Sequence, residues 1–513
     1  MWITLKLITI FCCVGVDWSH ALEKDIEVAC LDGKATTIED GGVEANCGYQ
    51  GLTRVTTFAP WLFQLANVLQ KVNASHNHLK KVTVLPVLPR VLTLTLDHNS
   101  IKDIEPLAFT GLENLQNLDL SYNRISGDSL KGVLVGKKTP GGDRFEPLPI
   151  RVLNLGHNNI SSLEPDVVAH LQYLRDLYLD DNPITDIGVE FSQALQELTE
   201  LKLLSLAECK LKILPKDAFS GLDLTSLLLN GNQFTQVPDL QLLGNTLRVL
   251  NMNQNPIEEL DDTSFAGLHR LNEIMISGMP KLTKIGSGTF SVLENIKIIS
   301  CTYNPQLVTI EEKAFWKLDL KRTMLQEVYL NNNNLPRVRK NLLPWLRMSK
   351  VTLDGNPWVC DCRLHWLAIL LRSRNNTVDR LTEIKCKEPV WLNGKQIVFW
   401  DIDLTGRHEN FPCLAEREEE KLLQQKLLLE QRKFELERIK NATPPKEEES
   451  SVKFYYIFAI AGIIISVLII GAIIAFNKYR NYRPIYNVEK VSAMNNEMKY
   501  MKGSITEKAQ LVP

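Results

Sequence analysis

The sequence has almost no excess of either charge. Lys and Arg number 58 against 60 Asp and Glu, a formal net charge of -2. A surface that neutralises phosphates leaves a clear basic excess, so a nucleic-acid binder is excluded. The local patterns of catalysis are missing too. There is no Gly-x-Ser-x-Gly turn to expose a nucleophile and no His-Glu-x-x-His helix to hold a metal. One near match, Gly132-x-x-x-Gly136-Lys137-Lys138-Thr139, fails as a phosphate-binding loop. That loop needs four residues between its glycines and Ser or Thr directly after its Lys. Acidic and histidine residues are scattered instead of forming a site. No enzymatic activity, cofactor or metal is expected.

Long apolar runs are scarce, and the two present have distinct meanings. Lys6, the apolar stretch Leu7 to Val16 and Ser19-His20-Ala21 have the layout of a secretory signal cleaved after Ala21. This stretch is too short to span a bilayer, which takes roughly 20 apolar residues. The run Phe454 to Phe476 carries no charge and is long enough to cross about 30 Å of hydrocarbon. Tyr455 and Tyr456 precede it at one interface, and Lys478, Arg480 and Arg483 follow it, as expected for a cytoplasmic C-terminus. The expected topology is therefore single-pass type I at the plasma membrane. Of ten cysteines, Cys12 and Cys13 leave with the signal, and the rest enter a compartment where disulfides persist.

Between the two runs the chain repeats itself. Leu115-x-x-Leu118-x-Leu120-x-x-Asn123-x-Ile125 recurs as Val91, Leu94, Leu96, Asn99, Ile101 and as Leu174, Leu177, Leu179, Asn182, Ile184. It returns with Leu247, Leu250, Met252, Asn255, Ile257 and with Leu325, Val328, Leu330, Asn333, Leu335. About twelve copies run from Leu69 to Asn356. Each predicts one short strand of a parallel sheet with its apolar residues inward at period two. A buried Asn then satisfies backbone groups that the following turn leaves unpaired. Ala108-Phe109, Ala218-Phe219, Ser264-Phe265, Thr289-Phe290 and Ala314-Phe315 form a second signature, expected to pack on the opposite side. Cys209 takes the ladder position of Asn, Met279 breaks the ladder, and Cys301 occupies an inward apolar position, so both cysteines are expected to be inert buried thiols. Residues 126–149, rich in Gly, Lys and Pro, read as an extruded loop.

These motifs resemble the typical extracellular leucine-rich-repeat family over residues 52 to 413. The resemblance implies an α/β solenoid, a horseshoe with a parallel concave sheet and disulfide caps. The organisation expected is a signal peptide (1–21), an N-terminal cap (22–68), repeats (69–356), a C-terminal cysteine-rich cap (357–413), a helical stalk and linker (414–453), the membrane helix (454–476) and a cytoplasmic tail (477–513). Asn356-Pro357-Trp358-x-Cys360-x-Cys362 followed by Cys386 and Cys413 looks like the family's C-terminal flanking domain. Four cysteines allow three connectivities, and four thiolates could instead hold zinc, although export favours oxidation. The resemblance implies Cys360–Cys386 and Cys362–Cys413. Cys30 and Cys47 are left to pair across the N-terminal cap.

One central column of the expected concave face reads Asn73, Thr95, Asp119, Asn154, Tyr178, Ser205, Leu228, Asn251, Met275, Ser300, Tyr329 and Thr352. It is neutral and mixed, which suits protein recognition. The ligand-binding candidates are Asp119, Asn154, Tyr178, Ser205, Asn251 and Tyr329, with the two tyrosines as anchors. His76, His98 and His157 share another column, with Tyr122 between the last two. His157 lies roughly 14 Å from His76 at about 4.8 Å per strand, so these two cannot share a metal ion.

Glycosylation sequons lie at Asn73, Asn159, Asn375 and Asn441. Residues 416–440 suggest a stalk helix with Leu422, Leu429 and Leu436 seven apart, and Gly462 with Ser466 offers a small-residue contact in the span. Either could join two chains, alike or different. In the tail, Tyr482-Arg483-Pro484-Ile485 resembles a sorting signal, and Tyr479, Tyr486 and Tyr500 are candidate phosphorylation sites. The expected function is cell-surface recognition or adhesion, with an extracellular protein or an apposed-cell receptor as partner. The alternative is an innate immune receptor or co-receptor without its own signalling domain, through resemblance to Toll-type ectodomains and to mosquito leucine-rich-repeat immune proteins.

Overall fold

A computed structural model describes residues 35–37, 43–53, 67–142, 144–316, 324–372 and 378–399. The chain divides into units 1–417 and 418–513, and all the described residues belong to the first. The expected signal, stalk, membrane helix and tail lie outside them, as do Cys30, Cys413, Asn375, Asn441, Tyr482, Ile485 and Tyr486. Among the described residues no helix is long and apolar enough to cross a membrane.

The described residues form a solenoid built on one 14-stranded sheet. Twelve of its strands are the repeats, from Leu69–Asn73 to Lys350–Thr352, stacked in sequence order and parallel throughout. The strand Val43–Asn46 extends the same parallel run into the N-terminal cap, and Ala35–Thr37 closes it with an antiparallel pairing. Sequence periodicity alone starts the array at Leu69. The sheet begins earlier because Ala45 and Cys47 serve as the inward apolar residues there.

Register is regular. Leu177, for instance, pairs with Leu153 on one side and Leu204 on the other, so the middle residues of the repeat strands from Thr93–Thr95 to Lys350–Thr352 point into one continuous core. Each fully buried Leu of this kind contributes roughly 1.5–3 kcal/mol relative to exposure. The segments returning between strands form a second layer. They carry short paired strands such as Glu259–Leu260, Lys284–Ile285 and Thr309–Ile310. Phe109, Phe219, Phe265, Phe290 and Phe315 are buried beneath this layer, with the ring centroids of Phe290 and Phe315 4.8 Å apart. Neighbouring return segments run so close that a Cβ on Gly244 would sit 2.2 Å from the Gly267 carbonyl oxygen.

The asparagine ladder ties the repeats together. Asn182 donates to the carbonyls of Leu155 (2.9 Å) and Leu179 (3.0 Å) and accepts from the Ile160 amide (2.9 Å), so one buried side chain joins its own turn to the preceding repeat. Asn77, Asn99, Asn123, Asn158, Asn232, Asn255 and Asn356 make the same set of contacts. Met279 is fully buried in its ladder slot and offers no amide to it. At Cys209 the thiol lies 3.2 Å from the Leu179 carbonyl, and the Ile184 amide turns to the Asn182 carbonyl (2.8 Å) instead of to a side chain. Burial pushes the thiols of Cys209 and Cys301 up to about 12, which keeps both protonated and unreactive at neutral pH.

The insertion 126–149 differs from the extruded loop that its composition suggests. Leu130, Val133, Leu134 and Leu148 are buried in the common core. They join the same core as the Ala-Phe pairs of other repeats, so apolar spacing overrides the Gly and Lys content. Only its tip stands out, as a hairpin pairing Gly136 with Glu146 and Thr139 with Arg144 (both 2.9 Å).

The C-terminal end is sealed by the strand Trp358–Val359, the helix His365–Leu371 and the strand Cys386–Glu388. Trp358 is fully buried, with its indole N–H donating to the Leu353 carbonyl (3.1 Å). Cys360 and Cys386 are disulfide-bonded with Cα atoms 5.6 Å apart. Cys47 at the N-terminal end and Cys362 in this cap each belong to a further, separate disulfide.

Candidate functional site

Most three-residue strands of the repeats bury the middle residue and leave the flanking two half-exposed, as in Asp176, Leu177 and Tyr178. The parallel register then aligns Asp119, Asn154, Tyr178, Ser205, Leu228 and Asn251 as one column on the solvent face of the sheet, and Met275, Ser300 and Tyr329 continue it. The candidates therefore share a column, but they are not equally available. Ser205, one of the ligand-binding candidates, is buried. Its hydroxyl donates to the Asp180 carboxylate, which also accepts from the Ala207 amide and so covers the position. Thr352 is buried in the same way, donating to Asn331 at 2.6 Å.

Asp119 accepts from the Ser121 amide (2.9 Å) and hydroxyl (2.7 Å) and from the Asn154 side-chain amide (3.2 Å). Asn251 accepts from the Asn253 amide (3.0 Å). These three polar residues are thus tied into hydrogen bonds on the sheet face. Tyr178 stands among acids, and burial together with Asp176 and Asp180 raises its phenol above the ordinary value. Tyr329 donates to the Glu327 carboxylate, and that bond, burial and nearby acids push its phenol up to about 12. Lys350 lies over its ring at 5.3 Å from the centroid. Around Tyr329 the sheet face has an open hollow of about 360 Å³, lined by Glu273, Met275, Ile298, Ser300, Thr302, Glu327 and Asn331.

A second column runs along the turn that follows the strands. Tyr49, His76, His98, Tyr122 and His157 all adopt left-handed backbone conformations, with φ between 51° and 60°. Non-glycine residues rarely do this. Here each amide is held by a carbonyl of the next repeat: His76 by Asp97 (3.0 Å), His98 by Ser121 (3.1 Å) and Tyr122 by Gly156 (2.9 Å). The five rings stack face to face, with successive centroids 4.2, 4.2, 4.1 and 3.8 Å apart. Such contacts contribute about 0.5–1.5 kcal/mol per pair beyond area burial. Asp97 contacts the His98 Nδ1 at 2.6 Å, and Asp181 contacts the His157 Nδ1 at 2.9 Å.

Repeat alignment places His76, His98, Tyr122 and His157 in one column, but misses Tyr49. The signal was present, because Cys47-Gly48-Tyr49-Gln50 has the frame of Leu96-Asp97-His98-Asn99. Of the described sequons, Asn159 is exposed, whereas Asn73 is half-buried with its side-chain oxygen accepting from the Ser75 amide (2.9 Å).

With this geometry in place, the comparisons with known proteins agree on the class. A Leucine rich repeat family model matches residues 87–132 and 147–184, and a BspA type Leucine rich repeat region matches residues 212–335. The array is made of leucine-rich repeats. Tsukushi of Gallus gallus is 26% identical over 266 residues, 51% of this chain and 67% of that protein. Podocan-like protein 1 of Mus musculus is 29% identical over 283 residues, 54% of this chain but 45% of that protein. Leucine-rich repeat transmembrane protein FLRT2 of Rattus norvegicus is 27% identical over 265 residues, 47% of this chain and 35% of that protein. The chain thus spans from about a third to two thirds of these relatives. A solved octameric complex of Latrophilin 3, Unc5D and FLRT2 contains a chain 21% identical to this one, with a TM-score of 0.48, covering 72% of this chain and 97% of that one.

Proposed function

We propose that the protein is a non-enzymatic recognition protein, displayed on the cell surface as a single-pass type I membrane glycoprotein, which takes a protein partner on the solvent face of its sheet. One observation carries the reading: the open hollow around Tyr329, where an aromatic ring, Met275 and Ile298 meet a rim of carboxylates and amides. Protein interfaces favour such aromatic anchors with a polar rim. The neutral overall charge, the expected signal and the apolar run 454–476 are consistent with it. Relatives include a protein named as transmembrane. Cys30 with Cys47 and Cys362 with Cys413 would complete the caps, and Asn159 is the best placed sequon on the described surface.

The test places Tyr178→Glu and Tyr329→Glu in the full-length protein and measures cell-surface display together with binding to cells. Partner identification comes from proximity labelling on intact cells. Display should be unchanged and binding reduced by more than about tenfold, because a carboxylate buried without a partner costs several kcal/mol. The charge reversal Lys137→Glu with Lys138→Glu, on the hairpin, should be milder. Binding lost only in the hairpin variant moves the site to the insertion. A labelled receptor of an apposed cell supports adhesion, and a microbial product supports the immune reading.

A further inference from the structure

The ring column contains a group of ligating atoms that the recognition surface does not use. His76 and His98 occupy equivalent turns of two adjacent repeats, whose strands pair in register as Lys71 with Thr93, Val72 with Leu94 and Asn73 with Thr95. Asp97 precedes His98. One ring nitrogen from each histidine and one Asp97 oxygen all lie within 4.8 Å of one another. His98 is exposed and the other two are half-exposed, so an ion has direct access from solvent. The backbone holding them is fixed, since the His76 amide is bonded to the Asp97 carbonyl (3.0 Å) and the His98 amide to the Ser121 carbonyl (3.1 Å).

We propose that His76, His98 and Asp97 form a binding site for a divalent transition metal ion, zinc or copper, with its remaining positions filled by water or by a partner's side chain. The donor set selects the class. Two imidazoles and one carboxylate suit zinc and copper, whereas calcium and magnesium take oxygen cages. Metal–ligand bonds of about 2.0–2.2 Å around a tetrahedral ion separate the ligand atoms by roughly 3.3–3.5 Å. The His98 Nδ1 to Asp97 Oδ2 separation is 2.6 Å, the length of a hydrogen bond. The ion therefore replaces the proton shared by this pair, which opens by less than about 1 Å. The two rings now stack at 21° to each other, so their lone pairs run nearly side by side. Binding requires one imidazole to turn about its Cβ–Cγ bond, giving up part of the stack. The proton between His98 and Asp97 is released to solvent, so affinity falls as pH falls.

His157 supplies the internal control. It has a carboxylate, Asp181 at 2.9 Å, but Tyr122 lies against its ring and separates it from His98.

The experiment uses full-length protein in detergent, stripped of metal and titrated with zinc by calorimetry. Copper-loaded protein is then studied by electron paramagnetic resonance. One equivalent should bind, and the copper spectrum should carry coupling to two imidazole nitrogens. His76→Ala, His98→Ala and Asp97→Asn should each weaken binding by at least the roughly 10–100-fold that even outer-sphere changes cost. Asp97→Asn leaves all five rings in place, so it decides the matter if an alanine variant fails to fold. His157→Ala should bind as the parent does. Zinc binding that is absent, equal in parent and Asp97→Asn, or lost equally in His157→Ala overturns the site, as does coupling to a single nitrogen.

Discussion

At the residue scale the ladder asparagine decides more than its size suggests. Removing Asn182 would strand the Ile160 amide in a core from which water is excluded, and would leave the Leu155 carbonyl to Asn158 and the Leu179 carbonyl to the Cys209 thiol as their other donors. A buried polar group left without a partner costs roughly 1–3 kcal/mol, so Asn182→Ala should destabilise the repeat unit by about 1–3 kcal/mol. Asn182→Cys should cost less than half of that. The Cys209 repeat shows how, with its thiol on the carbonyl of Leu179 and the free amide satisfied by a backbone carbonyl. Urea unfolding of both variants checks the order, and an alanine variant as stable as the cysteine one would refute this account. The motif makes the ladder visible in the sequence. It does not reveal that the Ile184 backbone rearranges to accommodate the cysteine, because that depends on where the neighbouring carbonyl lies.

At the scale of elements, the insertion between the Asn117–Asp119 and Val152–Asn154 strands separates two kinds of sequence with one composition. Leu134 is almost fully buried, so Leu134→Asp should lower stability by roughly 3 kcal/mol or more through an unpaired buried carboxylate. Replacing residues 139–144 by a two-residue turn, which keeps Phe145 against His170, should change the unfolding temperature by no more than about 2 °C, since Pro140, Gly141, Gly142 and Arg144 at the hairpin tip are exposed. Thermal unfolding distinguishes the two, and equal losses would mean that the whole insertion is structural. Counting Gly, Lys and Pro shows that a period is interrupted. Which of the intervening apolar residues reach the core depends on tertiary packing: Leu130 and Leu134 are buried, whereas Phe145 is half-buried against His170.

At the scale of the whole molecule, a stack of repeats is stable only when both ends are covered. Cys386→Ser would release the bond to Cys360 that pins the last strand pair over Trp358. Loss of a disulfide in a secreted domain costs about 2–5 kcal/mol, and the expected result is reduced surface display with unfolding that starts from the C-terminal end of the array. Hydrogen exchange along the solenoid measures where protection falls first. Uniform loss, or loss first at the N-terminal strands, would contradict the capping role.

What this sequence determined by itself is whatever recurs: the order of the twelve repeat strands, the inward Leu positions, the ladder and the Phe row. A repeated pattern carries its own register, since every copy must bury the same positions against the next. The surface was less legible. The candidate residues do align in register, yet Ser205 is covered and Tyr49 is part of a five-ring stack. Both outcomes come from contacts between side chains of different repeats, Ser205 with Asp180 and Tyr49 with His76. Such contacts are separated by more than twenty residues in sequence, and only the stacking distance of the folded repeats brings them within reach.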